Sequence, residues 1–196
     1  MTIYFFTGKP RTGKTLHVVM NLWSDYLNQR EITIVEQPEL RFPEMQNRVK
    51  PNIISVNDFL AIQNLEVTRT PKSIGIQEFT KLFDARRSGR KENVMLSSIT
   101  GQSGKRNVDI YYDDQFPSRV DKGMRDVTDK TFLCDCFPSP ETKQEPIAFT
   151  YTEFEGFLLY PTGKYHIIPA IYMQQFYSLY DTYKPTRSLE SRDKQK

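Results

Sequence analysis

Gly8, Gly13, Lys14 and Thr15 are spaced for one kind of chemistry: with the residues between them they fit G-x-x-x-x-G-K-[ST] at every fixed position. Glycine at both ends of the run lets the backbone bend so that successive N–H groups point inward and meet phosphate oxygens. In such a loop Lys14 reaches the β- and γ-phosphates, and the Thr15 hydroxyl ligates Mg²⁺. The whole run, Gly8-Lys9-Pro10-Arg11-Thr12-Gly13-Lys14-Thr15, is therefore the expected cradle for a nucleoside triphosphate.

Two further stretches carry groups that such a cradle needs. Ile74-Gly75-Ile76 is followed by Gln77-Glu78, and enzymes with this loop place an acid beside the phosphates and metal at a buried strand's end. Glu78 is the candidate to polarise an attacking water. Gln77 stands where a metal-coordinating Asp is expected, so Gln77 or Glu78 would meet the ion only through water. The second stretch, Val108-Asp109-Ile110-Tyr111-Tyr112, ends in Asp113-Asp114-Gln115-Phe116. Polar groups at the carboxyl edge of a parallel strand lie where open α/β sheets bind ligands.

Between the two runs lies a basic block. Lys81, Arg86, Arg87, Arg90, Lys91, Lys105 and Arg106 outnumber Asp84 and Glu92 by more than the +3 of the whole chain. Such a block is either a solvated face or a surface for a nucleic-acid backbone. Arg86, Arg87, Arg90 and Lys91 are the candidates for the second role.

These groups need a scaffold. Ile3-Tyr4-Phe5-Phe6 reads as a strand entering the loop, and Leu16, Val18, Val19, Leu22 and Trp23 have helical spacing after it. The resulting helix, over about 15–29, turns its N-terminal dipole toward a polyanion. Strands are expected at 32–35, 52–56, 74–78, 108–112 and 131–134. Short helices are expected after 57, capped by Asn57 or Asp58, over 92–101, and between 119 and 128. A β-ribbon at about 147–168, turning at Pro161-Thr162-Gly163, and a helix through Ile171, Met173, Phe176, Leu179 and Tyr180 complete the pattern. The alternation predicts an α/β fold, a mostly parallel central sheet flanked by helices, with the ribbon and last helix appended. Residues 1–183 are read as one domain, and 184–196 as a flexible polar tail.

Composition narrows the class. With 38% hydrophobic and 26% charged residues the chain is an ordinary globular one. No run reaches the ~18 apolar residues of a membrane span, and the phosphate loop begins before a signal peptide could fit. The expected setting is cytosol, a host cell's included. Cys134 and Cys136 would share one face of a strand. Zinc needs two more ligands, and His17 and His166 are the only histidines. Two reduced, partly buried thiols are the expected reading.

Taken together, residues 8–15, the strand ending at Gln77-Glu78 and the stretch from Gln102 to Gln115 resemble the FtsK/HerA superfamily of DNA-pumping P-loop ATPases. Within it the chain is similar to the small genome-packaging ATPases of viruses with icosahedral capsids, those of archaeal turreted icosahedral viruses in particular. Phage proteins of the zonula occludens toxin type share the pattern, including Asp84-Ala85-Arg86-Arg87 after the acidic strand and a final Tyr180-Asp181-Thr182. The resemblance covers about residues 2 to 130. It implies that Gln115 senses the γ-phosphate and that Arg106 acts as a finger on the neighbouring subunit's nucleotide. It also implies ATP with Mg²⁺ and a homo-oligomeric ring, commonly a hexamer, threading double-stranded DNA. The partners would be viral capsid proteins, and the place the capsid vertex in the host cytoplasm or the virion. Gln77 and the lack of a separate DNA-binding domain depart from the pattern.

Three other readings stay open. A filamentous-phage-type morphogenesis ATPase would normally carry a membrane helix. A P-loop small-molecule kinase would use the Arg86, Arg87, Arg90 cluster as a lid. A nucleotide-binding regulator with little turnover would suit Gln77.

Overall fold

The computed structural model describes residues 2–36, 39–61, 70–83, 107–141 and 145–181. The expected helix over 92–101, Arg106, Arg86, Arg87, Arg90, Lys91 and the tail from 184 lie outside them.

Strand β1 (Ile3–Thr7) alternates its side chains between two cores. Ile3 and Phe5 join Phe59, Ile74, Phe79, Tyr112 and Met124 on one face. Phe6 joins Leu16, Val19, Leu22, Tyr26 and Tyr151 on the other. Helix α1 (Lys14–Leu27) lies over that second face, with Leu16, Val18, Val19, Leu22 and Tyr26 turned inward at the spacing of a helical stripe.

The chain continues through β2 (Glu31–Val35), β3 (Glu39–Leu40), β4 (Asn52–Ile54), α2 (Val56–Ala61), β5 (Lys72–Ile76), α3 (Phe79–Leu82) and β6 (Val108–Asp114). A 3₁₀ turn (Pro117–Arg119) and α4 (Lys122–Val127) lead to β7 (Lys130–Pro138), β8 (Pro146–Glu155), β9 (Tyr160–Pro169), α5 (Ala170–Tyr177) and β10 (Tyr180–Asp181). Eight strands form one sheet in the order β4-β2-β5-β6-β1-β7-β8-β9, and β10 pairs with β3 in a small second one. From β4 to β7 neighbouring strands are parallel. Then β7, β8 and β9 pair antiparallel. The expected α/β architecture is present, with the ribbon hydrogen-bonded directly onto the main sheet through β7.

Register sets the depth of every functional group. Thr7 at the end of β1 pairs with Asp114, and Phe6 with Asp113. Ile76 at the end of β5 pairs with Tyr112, so Gln77 follows level with Asp113 across adjacent strands. At the opposite edge Arg30 bonds Asp109 at 2.9 Å and Ser73 at 2.7 Å. Those contacts tie the turn after α1 to β5 and β6.

Several local expectations need correction. Helix α2 is capped by Ser55 rather than by Asn57 or Asp58. The Asp58 N–H donates to the Ser55 hydroxyl at 3.1 Å and the Ser55 N–H to the Asp58 carboxylate at 3.2 Å, a reciprocal cap with serine outside the helix. The ribbon turns over Gly156 to Leu159, because Glu155 pairs with Tyr160 and Phe154 with Pro161. Pro161-Thr162-Gly163 lies inside β9, and Gly163, at φ 78°, falls close to where the register slips. In α5 Met173 is buried but Ile171 is exposed, and Tyr180 belongs to β10. No helix among the described residues is long and apolar enough to cross a membrane.

Candidate nucleotide-binding site

The phosphate loop leaves β1 at Gly8, and two glycine positions in it are set by space as well as by torsion. Gly8 has φ 144°, and a Cβ there would stand 2.2 Å from the Cys134 carbonyl oxygen on β7. Gly13, at φ 83°, precedes the first residue of α1, and a Cβ there would meet the Phe149 ring at 2.7 Å. Arg11 between them also has positive φ, 65°. The loop is thus curled tightly over the sheet edge, with the α1 N-terminus opening into it. Its N-cap makes no side-chain hydrogen bond, and the N-terminal amides that a helix leaves unpaired are the usual binders of phosphate.

Lys14 is the residue whose setting departs most from an exposed loop lysine. It is only 8% exposed, and its ammonium donates to the Lys9 carbonyl at 2.7 Å. The Thr12 hydroxyl donates to the same carbonyl at 2.8 Å. The charge is held across the loop's mouth by a single shared acceptor.

Thr15 stands where three elements meet. Its hydroxyl donates to the Asp113 carboxylate at 2.7 Å and accepts from the Gln77 amide nitrogen at 3.2 Å. The other Asp113 oxygen accepts from the Glu78 N–H at 2.8 Å. Asp113 is buried, and burial pushes its carboxyl up to about 6, against the pull of the Glu78 N–H, the Thr15 hydroxyl and the Lys14 charge. Asp114 does something different. It accepts from the Thr80 N–H and hydroxyl, both at 2.7 Å, and from the Phe116 N–H at 2.8 Å. These bonds fix the first turn of α3 and the bend after β6.

Glu78 occupies a left-handed backbone conformation, φ 48° and ψ 53°. Such a residue costs on the order of 1–3 kcal/mol and persists where surrounding contacts over-determine it. Here the Asp113 bond supplies one such contact. The Glu78 carboxylate is paired with Lys81.

Two clefts adjoin the loop. One, of about 540 Å³, is lined by Thr7, Gly8, Lys9, Pro10, Gln115 and Phe116 among others, so Gln115 does face the first half of the loop. The other, of about 310 Å³, runs from Arg11 and Lys14 past Leu16 to Phe149, Tyr177 and Tyr180. A cleft with three aromatic side chains in its wall, continuous with a phosphate cradle, has the chemistry to receive a nucleoside.

The cysteines and histidines stand apart from this chemistry. Burial pushes the Cys134 thiol far above its usual range, and both thiols are unbridged. Burial, with a smaller contribution from His166, lowers His17 to about 3. It is a neutral ring packed 4.0 Å from Tyr151 and 4.8 Å from Phe6. Among the described residues no cluster of His, Cys, Asp or Glu is arranged to hold a metal by itself.

The structure therefore brings Lys14, Thr15, Gln77, Glu78 and Gln115 to one corner. Sequence reasoning points to the end of β6 without singling out Asp113. A signal is present, since Ile110-Tyr111-Tyr112-Asp113-Asp114 is an apolar strand closed by two acids.

No family model matches the sequence, and no curated protein matches it either. Solved structures do resemble the fold. The N-terminal domain of zonular occludens toxin from Neisseria meningitidis superposes with a TM-score of 0.59 at 18% identity, over 92% of this chain and 98% of that one. The genome packaging NTPase B204 from Sulfolobus turreted icosahedral virus 2, in complex with ATP-gammaS, gives 0.56 at 8% identity, over 85% and 96%. The same NTPase in complex with AMP gives 0.55, again at 8% identity and over 85% and 96%. From its loop, its strand order and these likenesses, the chain has the α/β fold of the P-loop NTPases.

Proposed function

We propose that this protein is an ATP-hydrolysing motor that moves double-stranded viral DNA into a preformed capsid. The observation that carries the reading is the meeting of loop, Thr15 and strand-end acids at the carboxyl edge of adjacent parallel strands. Residues 1–183 act in it as one ATPase domain, working as a homo-oligomeric ring at the capsid vertex in the host cytoplasm. The likeness to a packaging NTPase supports this partner class.

Within that reading, residues 8–15 bind the phosphates and Lys14 balances their charge. Tyr177, Tyr180 and Phe149 receive the base. Thr15 and the oxygens around it suit Mg²⁺, a hard ion that takes oxygen ligands and keeps waters and substrate phosphates among them. Thr15 would hold it, with Gln77 or Glu78 reaching it through water, and the ion would add charge neutralisation at the phosphates. Glu78 orients and deprotonates the attacking water once its carboxylate leaves Lys81. Gln115, on the other side of the loop, reads the γ-phosphate.

Glu78→Gln preserves size and the backbone bond to Asp113 while removing the base. Nucleotide binding is expected to persist and hydrolysis to fall by a factor of roughly 10² or more. Loss of binding together with a lowered melting temperature would instead mark Glu78 as a structural residue.

For the basic block, replacing Arg86, Arg87, Arg90 and Lys91 by Ala is expected to weaken DNA binding and flatten its salt dependence. Each lost phosphate contact lowers the log–log slope by about 0.9. Unchanged affinity and slope would return the block to an ordinary solvated surface.

The likeness to zonular occludens toxin favours a second reading, a morphogenesis ATPase of the filamentous-phage type. Both readings share the hydrolytic site and differ in the polymer moved. ATPase rates measured alone, with double-stranded DNA and with single-stranded DNA separate them. Stimulation by the duplex supports packaging, and stimulation by single strands alone supports the second reading.

A further inference from the structure

We propose that Asp113, at the end of β6, is the carboxylate that positions the nucleotide's magnesium ion, taking the place of the acid that position 77 lacks. The proposal rests on the nucleotide-site reading above and concerns one residue within it.

The argument begins with Gln77. Its amide nitrogen faces the Thr15 hydroxyl, 3.2 Å away, so it presents a donor where a metal's neighbour should present an acceptor. A neutral amide also supplies no charge. The register then explains what replaces it. Ile76 pairs with Tyr112, so residue 113 sits beside residue 77 at the same depth. Strand β6, unlike β5, is hydrogen-bonded to β1, the strand that delivers the loop. An acid at 113 is thus displaced by one strand toward the phosphates without any change in depth.

The bonding is specific. The Thr15 proton is committed to Asp113 at 2.7 Å, which aims the hydroxyl proton away from the cradle and strengthens its oxygen as a ligand. The second Asp113 oxygen is fixed by the Glu78 N–H. Only 1% of Asp113 is exposed, so the carboxylate cannot swing to solvent. A buried carboxylate needs a cationic partner or strong hydrogen bonds, and a divalent ion on Thr15 would be the former. The neighbouring Asp114 is occupied in fixing Thr80 and Phe116. In this site, Asp113 is a positioning residue acting through Thr15 and the ion's water shell.

The test is nucleotide affinity rather than turnover. A fluorescent ATP analogue is titrated onto the full chain in Mg²⁺ and again in EDTA, and the ratio of affinities gives the magnesium-dependent gain. Asp113→Asn keeps the acceptor for Thr15 and removes the charge. It is expected to cut the gain by roughly 10–100-fold, the usual effect of losing a carboxylate behind a metal ligand. Affinity in EDTA should be little changed. The double variant Asp113→Asn with Gln77→Asp returns the charge to the neighbouring strand and should recover part of the gain, which a merely structural role would not allow.

A folded Asp113→Asn chain with the full gain overturns the proposal, as does a folded double variant with no recovery. If the unsubstituted chain binds no nucleotide at all, the site reading itself fails. Should Asp113→Asn not fold, the unsubstituted chain with Mg²⁺ and a non-hydrolysable ATP analogue decides by crystallography. Asp113 on Thr15 and a metal-bound water supports the assignment. Asp113 turned away, with Gln77 or Glu78 alone at the ion's shell, overturns it.

Discussion

A Lys14→Ala chain is expected to fold and to lose ATP hydrolysis by at least roughly 10²–10³-fold, the scale of removing one preorganised charge from a transition state. Two observations make fold retention the expected result. The Lys9 carbonyl keeps its bond from the Thr12 hydroxyl at 2.8 Å when the ammonium is removed, so no buried acceptor is orphaned. Lys14 also opens α1, where alanine is a good helix former. The stability cost should stay near that of one hydrogen bond, about 1–2 kcal/mol. Thermal melting and a phosphate-release assay on the same preparation check both halves. Near-parental turnover in the folded variant would remove the phosphate loop from the chemistry.

Arg106→Ala is expected to cost more, about 10³–10⁵ in rate under assembling conditions, the worth of an arginine finger in well-studied P-loop enzymes. The residue itself lies outside the described set, but Asn107 beside it immediately precedes β6. That strand has seven residues and, at ~3.3 Å each, spans about 23 Å. Gln115 and Asp113 sit at its other end, on the loop's side of the sheet. In the proposed ring, an arginine that precedes the far end of this strand in the chain would serve a neighbouring subunit's site rather than the one beside Gln115.

Mixing separates this from a local role. Lys14→Ala carries an intact Arg106, and Arg106→Ala an intact loop, so in the proposed ring a mixture would contain interfaces that pair the two. Activity should reappear in the mixture although each parent is inactive. An Arg106→Ala protein that hydrolyses ATP at the parental rate while assembled would end the finger assignment.

How much of this is legible in the sequence depends on the range of the contacts. The loop can be read because its chemistry is local: two glycines, a lysine and a threonine at fixed spacing dictate the bend. Strands β1, β2, β5 and β6 can be read because each is a short apolar run. Asp113 cannot be picked out that way, because its hydrogen bonds reach Thr15 and Glu78, 98 and 35 positions away in the chain. The ribbon turn is hard to place because Pro161-Thr162-Gly163 competes with Gly156, which sits in the turn at φ 61°, and because Leu158, also at positive φ, announces no turn. Pro161 and Gly163 look like turn residues, yet they lie in β9, which is held by pairing with β8. The cap of α2 falls two or three residues before its expected place. Serine, asparagine and aspartate all stand together there, and only the hydrogen bonds choose among them.

The shared Lys9 carbonyl also bears on when the site becomes ordered. A free lysine side chain loses about 2 kcal/mol of rotamer entropy when it is fixed. In this chain Lys14 is already fixed, bonded at 2.7 Å and largely shielded from water before any phosphate arrives. Its immobilisation therefore belongs to folding, and an incoming nucleotide exchanges one acceptor for another without having to gather a wandering cation. The rotamer entropy of this side chain is therefore lost once, on folding, and nucleotide binding does not incur it again.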